Sequence, residues 1–327
     1  MLTYIIRRLL AMIPLLILVS IATFIIIQLP PGDYFTSLQA SIAETGGGQD
    51  ARTFEVLRER YGLDEPLYVQ YWRWVSGFPS GDFGYSLEWS SPVWPLVRDR
   101  LAYTILLGIF SLLITISVAV PIGIYTARHQ YSVGDNILSL ISFLGLSLPP
   151  FLIALFWMFL GALILRINVG GVISPEMADA PLSAAKLWNY FMHLWPPALI
   201  LGLASTAQIQ RIMRGSMLDV LGQPYITTAR AKGLRERVVI NRYAVRVAIN
   251  PVISVLALEI PKMISESALV GIVMSLPTTG PLFLRSLLTQ DMYLAGTFLL
   301  FMTLLLMLSN LLADILLAWV DPRIAYE

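Results

Sequence analysis

Leu9 to Leu29 contains no charged residue, and the run is long enough to cross a hydrocarbon core of about 30 Å, which takes about 20 helical residues. Comparable stretches recur down the chain. Leu101–Ala127 is a second uncharged run, and Ile137–Leu165 a third, in which Pro149-Pro150 predicts a kink near the middle. Trp195–Gln210 is a shorter fourth, opening with Pro196-Pro197, a pair that suits a helix start. Val247–Val273 is a fifth but carries Glu259, Lys262 and Glu266, and Leu294–Val320 is a sixth with Asp314 near its end. Six membrane-spanning helices are therefore expected. Composition agrees: 57% of the 327 residues are hydrophobic and 13% charged, against about 45–50% and 25% in soluble domains. Those values exclude a soluble or disordered chain, and a net charge of +1 argues against nucleic-acid binding.

Orientation follows from where Lys and Arg fall in short loops. Arg7 and Arg8 precede the first run, and the loop 211–246 holds Arg211, Arg214, Arg230, Lys232, Arg235, Arg237, Arg242 and Arg246 against Asp219 and Glu236. Both belong inside. The segment 30–100 has six basic and ten acidic residues and fits the outside, so both termini are expected to be cytoplasmic. The apolar run after Arg8 exceeds the 7–15 residues of a signal peptide and lacks a small-x-small cleavage site, so it reads as a retained anchor. Three regions result: 1–29, the first span; 30–100, an extracytoplasmic segment; and 101–327, the core with five spans and the inner loop 211–246.

The outer segment has a flexible tip at Gly46-Gly47-Gly48, then a stretch from Arg52 to Tyr61 with helical spacing of Phe54, Leu57 and Tyr61. Trp72, Trp74, Phe78, Phe83, Tyr85, Trp89 and Trp94 follow. They read either as an interfacial aromatic belt or as a docking surface for an extracytoplasmic partner, to which Asp64, Glu65 and Asp82 would add charge complementarity.

In the inner loop, Gly222-Gln223-Pro224 ends one helix and Pro224 can start another; Thr227–Lys232 supplies one to two turns, and Gly233 suits the stop. A short helix with small residues on one side and basic ones on the other is shaped for a partner's groove. Contact with anionic headgroups is the alternative. On the fifth run, Lys262 lies three residues from Glu259 and four from Glu266, so the three share a face and can pair. They read as lining a path or gate, or as a static polar staple to a partner. Proton or ion coupling by a secondary transporter is the rival use, though no inverted repeat is visible.

Catalysis is not expected. Lys186, Lys232 and Lys262 are the only lysines, none preceded by glycine, so a phosphate-binding Walker loop is absent, as are G-x-S-x-G and H-E-x-x-H patterns. There is no cysteine, and His129 and His193 lie far apart with no nearby carboxylate pattern, so no metal site is expected.

Taken in order, several motifs resemble one family. They are Tyr4-Ile5-Ile6-Arg7-Arg8-Leu9, Pro14, Pro31-Gly32-Asp33, Tyr61-Gly62-Leu63-Asp64-Glu65-Pro66-Leu67, Gln70-Tyr71, Trp74, Gly81-Asp82-Phe83-Gly84-Tyr85-Ser86, Pro92-Val93, Thr104-Ile105-Leu106 and Pro121-Ile122-Gly123. The most specific is Tyr225-Ile226-Thr227-Thr228-Ala229-Arg230-Ala231-Lys232-Gly233-Leu234, and the ending Asp321-Pro322-Arg323-Ile324 also fits. Over nearly its whole length the chain resembles the B-type permease subunits of bacterial ABC importers in the dipeptide/oligopeptide branch.

The resemblance implies an all-α, six-span type I importer permease in the bacterial inner membrane. It also implies a second homologous permease, two cytoplasmic ATPase subunits that carry ATP and Mg, and an extracytoplasmic solute-binding protein. The loop with Tyr225, Thr227, Thr228, Ala229, Arg230, Ala231, Lys232 and Gly233 would couple to an ATPase, and Asp64, Glu65, Trp72, Trp74, Asp82, Phe83 and Trp89 would help receive the binding protein. Three features depart from the family's pattern: Tyr243-Ala244-Val245-Arg246-Val247-Ala248 after the coupling element, Pro277-Thr278-Thr279-Gly280 after Glu266, and the charges Glu259 and Lys262 where neutral residues are expected. Peptide import is the leading expectation, with oligosaccharides or other solutes as the alternative.

Overall fold

A computed structural model describes residues 2–44, 51–165, 170–177, 179–181 and 183–320. The Gly46–Gly48 tip and the ending Asp321–Ile324 lie outside them. The described chain is helical apart from one two-stranded hairpin. Among the described residues, helices Tyr4–Gln28, Val93–Arg128 and Met292–Leu316 are each long and apolar enough to cross a membrane. Two bent pairs bring the number to five if each is one span.

The bent pairs correct the expected outline. In the third run the chain does not merely kink at Pro149-Pro150: helices Val133–Ser147 and Pro150–Ile164 meet at 100°. Leu148 and Pro149 are extended, because a residue before proline is pushed out of the helical region and two prolines in series compound the effect. The fifth run is preceded by a helical piece, Glu236–Ala248, bent by 49° from helix Asn250–Val273. Part of that piece, Val239–Ala244, is wound as a π-helix.

The fourth run sits inside the longest helix, Ala184–Leu221, of 38 residues. Pro196-Pro197 therefore does not start a helix. The start is Ser183, whose hydroxyl accepts from the Lys186 N–H at 3.3 Å, and both prolines are buried in the helix interior. Packing around them overrides their local preference, as it does in membrane helices whose neighbours re-satisfy the freed backbone groups.

Two compact units divide the chain. The first comprises residues 104–276 and the chain from 308 onward. Its core is built on helix Ala184–Leu221, whose Ile209, Met213, Met217 and Val220 pack with Ala119 and Ala127 and with residues of the inner loop and of the helix after it. Gly123 permits a close approach: a Cβ there would lie 2.6 Å from the Cβ of Met213. Small residues at such crossings let helices pack backbone to backbone where lipid supplies no hydrophobic drive.

The second unit comprises residues 2–103 and 277–307. Helix Ala51–Tyr61 forms over the expected stretch and turns Phe54 inward onto Phe35 of helix Tyr34–Glu44, ring centroids 6.3 Å apart. Asp33 caps the latter helix by accepting from the Thr36 N–H at 2.8 Å, and it holds Arg58 in a two-point ion pair at 2.8 and 2.9 Å. Burial works to raise the Asp33 carboxyl, yet Arg58 and Thr36 together hold it below its ordinary value. The hairpin pairs Tyr85 with Pro92 and Ser86 with Ser91. Ser86 Oγ then donates to Asp291 at 2.6 Å, and Asp291 caps the last helix from the Leu294 N–H at 3.3 Å. Burial pushes the Asp291 carboxyl above its ordinary range despite those bonds.

Candidate coupling and translocation site

The inner loop folds as its punctuation predicts. Helix Ala184–Leu221 stops at Gly222, and helix Pro224–Ala231 begins with proline in its first turn. The end is a Schellman turn: Gly233, with φ +75°, donates to the Arg230 carbonyl at 2.9 Å, and Leu234 donates to that of Ala229 at 3.4 Å. The helix has two faces. Ile226 and Ala229 are buried and join the core of the first unit beside Val239, Ile240 and Ala244. Tyr225, Thr227, Thr228, Ala231, Lys232 and Gly233 are exposed.

Two expectations change here. Ala229 is 5% exposed and is spent on the chain's own core, so it is not offered to a partner. Arg230 does not present a bare charge: its Nη2 lies 2.8 Å and its Nε 3.2 Å from the Glu236 carboxylate, which braces the short helix against the piece that follows. Lys232 is also exposed at the helix end. Sequence reasoning missed Ile226 and Glu236. The i,i+3 spacing of Ile226 and Ala229 was the available signal for the buried face.

In the fifth run, Glu259 is buried and accepts from Ser205 Oγ of helix Ala184–Leu221. Lys262 Nζ lies 3.3 Å from the same Oε2. Glu266 is on the same face, but the expected three-way pairing is not formed: its Oε2 is buried without a hydrogen-bond partner. Lys262 turns to the carboxylate that Ser205 already holds in place. Ser205 was missed, since nothing local marks a serine 54 residues away as a partner.

The docking residues of the second unit divide. Trp72 is 71% exposed and Trp89 44% exposed, whereas Trp74 is 3% exposed. The Trp74 indole donates to the Phe83 carbonyl at 3.3 Å and to Thr297 Oγ1 at 3.2 Å, between the rings of Phe24, Tyr71 and Phe78. Phe83 packs on Trp94 and Phe301. Trp74 is thus a core residue and not a docking residue, whereas Phe83 is half-buried and packs against the core of the second unit. Asp64 and Asp82 are exposed, Asp82 accepting from the Gly84 N–H at 2.9 Å. Glu65 is taken by Arg73 at 2.7 Å. Trp89 lines a cleft of about 470 Å³ with Glu88, Arg100, Pro281, Leu282 and Arg285. No group of three or more ligating side chains that could hold a metal occurs among the described residues.

Against known proteins, residues 119–326 match the family described as binding-protein-dependent transport system inner membrane component, and residues 1–108 match its N-terminal companion. The chain is 36% identical to the oligopeptide transport system permease protein AppB of Bacillus subtilis (strain 168), over 100% of both chains. It is 32% identical to the glutathione transport system permease protein GsiC of Escherichia coli (strain K12), again over 100% of both. With several helices fit to cross a bilayer and matches along its whole length, the chain belongs to the inner membrane components of binding-protein-dependent transport systems and is a non-catalytic permease subunit of an ABC importer.

Proposed function

We propose that this permease forms half of a translocation pathway for di- and oligopeptides delivered by a solute-binding protein. The substrate class rests on the two relatives named for oligopeptide and glutathione transport. In this reading the chain crosses the membrane six times with both termini in the cytoplasm, helix Ala184–Leu221 supplying the fourth crossing. Residues 1–29 are the first span, 30–100 the extracytoplasmic segment and 101–327 the core. Its partners are a second homologous permease and two ATPase subunits, which bind ATP and Mg, besides the binding protein outside. Lys262 and Glu266 face the path, and Glu259, buried beside Ser205, braces Lys262. Asp64, Trp72, Asp82 and Trp89 meet the binding protein, with the cleft beside Trp89 taking one of its side chains.

The observation that carries this reading is the two-faced helix Pro224–Ala231, anchored inward by Ile226 and Ala229 and exposed outward at Tyr225, Thr228 and Lys232. An anchored helix moves with the chain that holds it, so a partner gripping the outer face can shift the core between states by binding one of them better. Gly233 allows the left-handed turn at its end; a Cβ there would meet nothing within 4 Å, so a substitution strains the backbone without a clash inside the chain. The test is a reconstituted complex carrying Gly233→Trp. Uptake should fall and ATP hydrolysis should lose its dependence on the binding protein, while the binding protein still docks. Normal values for both, with the complex intact, would rule this helix out as the coupling element.

A further inference from the structure

Charge and broken backbone meet at one level of the first unit. Gly145, near the end of helix Val133–Ser147, packs on helix Ala184–Leu221: a Cβ there would lie 3.3 Å from Leu203 and 3.7 Å from Ala207. Those residues flank Ser205, which holds Glu259. Past Gly145 the chain leaves the helix, and Ser147, Leu148 and Pro149 are exposed. Irregular backbone at membrane depth is tolerated only where protein covers it or where it lines a water-filled cavity. The same level thus sets exposed irregular backbone beside an ionisable cluster.

The cluster has capacity left over. One lysine cannot neutralise two carboxylates, and Glu259 already engages Lys262 and Ser205. Lys262 keeps two of its three N–H donors for other partners, and its side chain is 41% exposed. Glu266, four residues on, is half-buried, and its shielded Oε2 has no hydrogen-bond partner, so the carboxylate must rotate to offer that oxygen to a cation. Four helical residues rise about 6 Å, and two extended residues of a peptide span at most about 7 Å. A donor and an acceptor on residues so spaced along one helix face suit a short molecule with an ammonium at one end and a carboxylate at the other.

We infer that Lys262 and Glu266 form a station in the pathway for the ends of a short zwitterionic solute: Lys262 takes the carboxylate, Glu266 takes the ammonium, and Glu259, fixed by Ser205, holds Lys262 between visits. The inference rests on the reading of this chain as a peptide pathway. It assigns a selective role to charges that a general conduit does not require.

The chain has no cysteine, so Lys262→Cys introduces its only thiol. In a complex whose other subunits are cysteine-free, uptake of a free dipeptide should fall about tenfold, the order of one lost charge-assisted contact. Aminoethyl methanethiosulfonate, which restores an ammonium, should recover it, and the sulfonatoethyl reagent should not. Each peptide is scored as the variant-to-wild-type ratio, so recognition by the binding protein cancels. C-amidated dipeptide should be spared in Lys262→Cys, and N-acetylated dipeptide in Glu266→Gln. Dipeptide-loaded binding protein should also slow modification of the thiol. An unreactive thiol, unchanged uptake, or equal loss for free and blocked peptides would overturn the station while leaving peptide import standing. A wild-type complex that imports no peptide of any kind would instead overturn the peptide reading, and the station with it.

Discussion

Arg214 holds Asp135 through two hydrogen bonds, 3.0 Å from Nε to Oδ1 and 2.8 Å from Nη2 to Oδ2, tying the first turn of helix Val133–Ser147 to helix Ala184–Leu221. Asp135 also accepts from the Tyr131 N–H at 2.9 Å, and its side chain is almost wholly shielded. Asp135→Asn strands Arg214, whose partial exposure keeps the cost below the ~3 kcal/mol of a fully buried pair but well above that of a surface pair. Asp135→Asn should therefore lower the melting temperature of the solubilised chain clearly. Asp135→Leu combined with Arg214→Met should cost less than the sum of the single changes, as a double-mutant cycle would show.

The two faces of helix Pro224–Ala231 should respond differently. Ile226→Ala removes a fully buried side chain and should destabilise the chain by about 2–5 kcal/mol, read as a fall in melting temperature. Tyr225→Ala and Lys232→Glu lie on the exposed face and should leave melting within about 0.5 kcal/mol of the parent. If these two variants lose binding-protein-stimulated hydrolysis in the assembled complex, the outer face is the one the ATPase reads. Full stimulation in both would assign that face to lipid headgroups.

Trp72 and Trp74 make a similar contrast two residues apart. Trp74→Ala should cost about 3–5 kcal/mol, since the indole is buried and Phe83 and Thr297 would keep only the bond they make to each other. Trp72→Ala should not disturb folding. Association with the binding protein, measured on the complex in nanodiscs, separates a docking role for Trp72 and Trp89 from a belt role.

The Asp33–Arg58 pair predicts an acid response. Because the folded Asp33 carboxyl lies below its ordinary value of 3.8, the pair stabilises the fold fully above the unfolded value. That contribution is lost as pH falls through the lower, folded value. Hydrogen exchange in helices Tyr34–Glu44 and Ala51–Tyr61, corrected for the intrinsic slowing of amide exchange in acid, should speed up on acidification below about pH 4 in the parent. In Asp33→Asn it should be fast already at neutral pH and respond less to acid. Identical exchange in the two proteins at pH 7 would show that the pair does not hold these helices together.

Local signals were readable in the sequence, and long-range ones were not. The apolar runs, the stop at Gly222 and Gly233 and the inward face of residues 54–61 depend on neighbours within a turn or two. Pro196-Pro197 misled because its preference for a helix start is weaker than the packing of the helix around it. The abundance of aromatics in the outer segment was plain, but which ring is buried depends on partners such as Thr297, 223 residues from Trp74. Asp135 with Arg214, Ser86 with Asp291 and Ser205 with Glu259 join residues 79, 205 and 54 positions apart. A single sequence carries no local trace of such pairs.

Between Ser205 and Leu221 the longest helix has no proline and runs unbroken for about 24 Å. One end carries the hydroxyl that holds Glu259, and the other adjoins the short inner helix. A rod of that length acts as a lever arm: a rocking of about 5° pivoted at Gly222 would swing Ser205 through about 2 Å. Hydrogen bonds fail over a smaller stretch than that. A small rocking of the rod is thus enough to part Ser205 from Glu259, which would keep its pairing with Lys262.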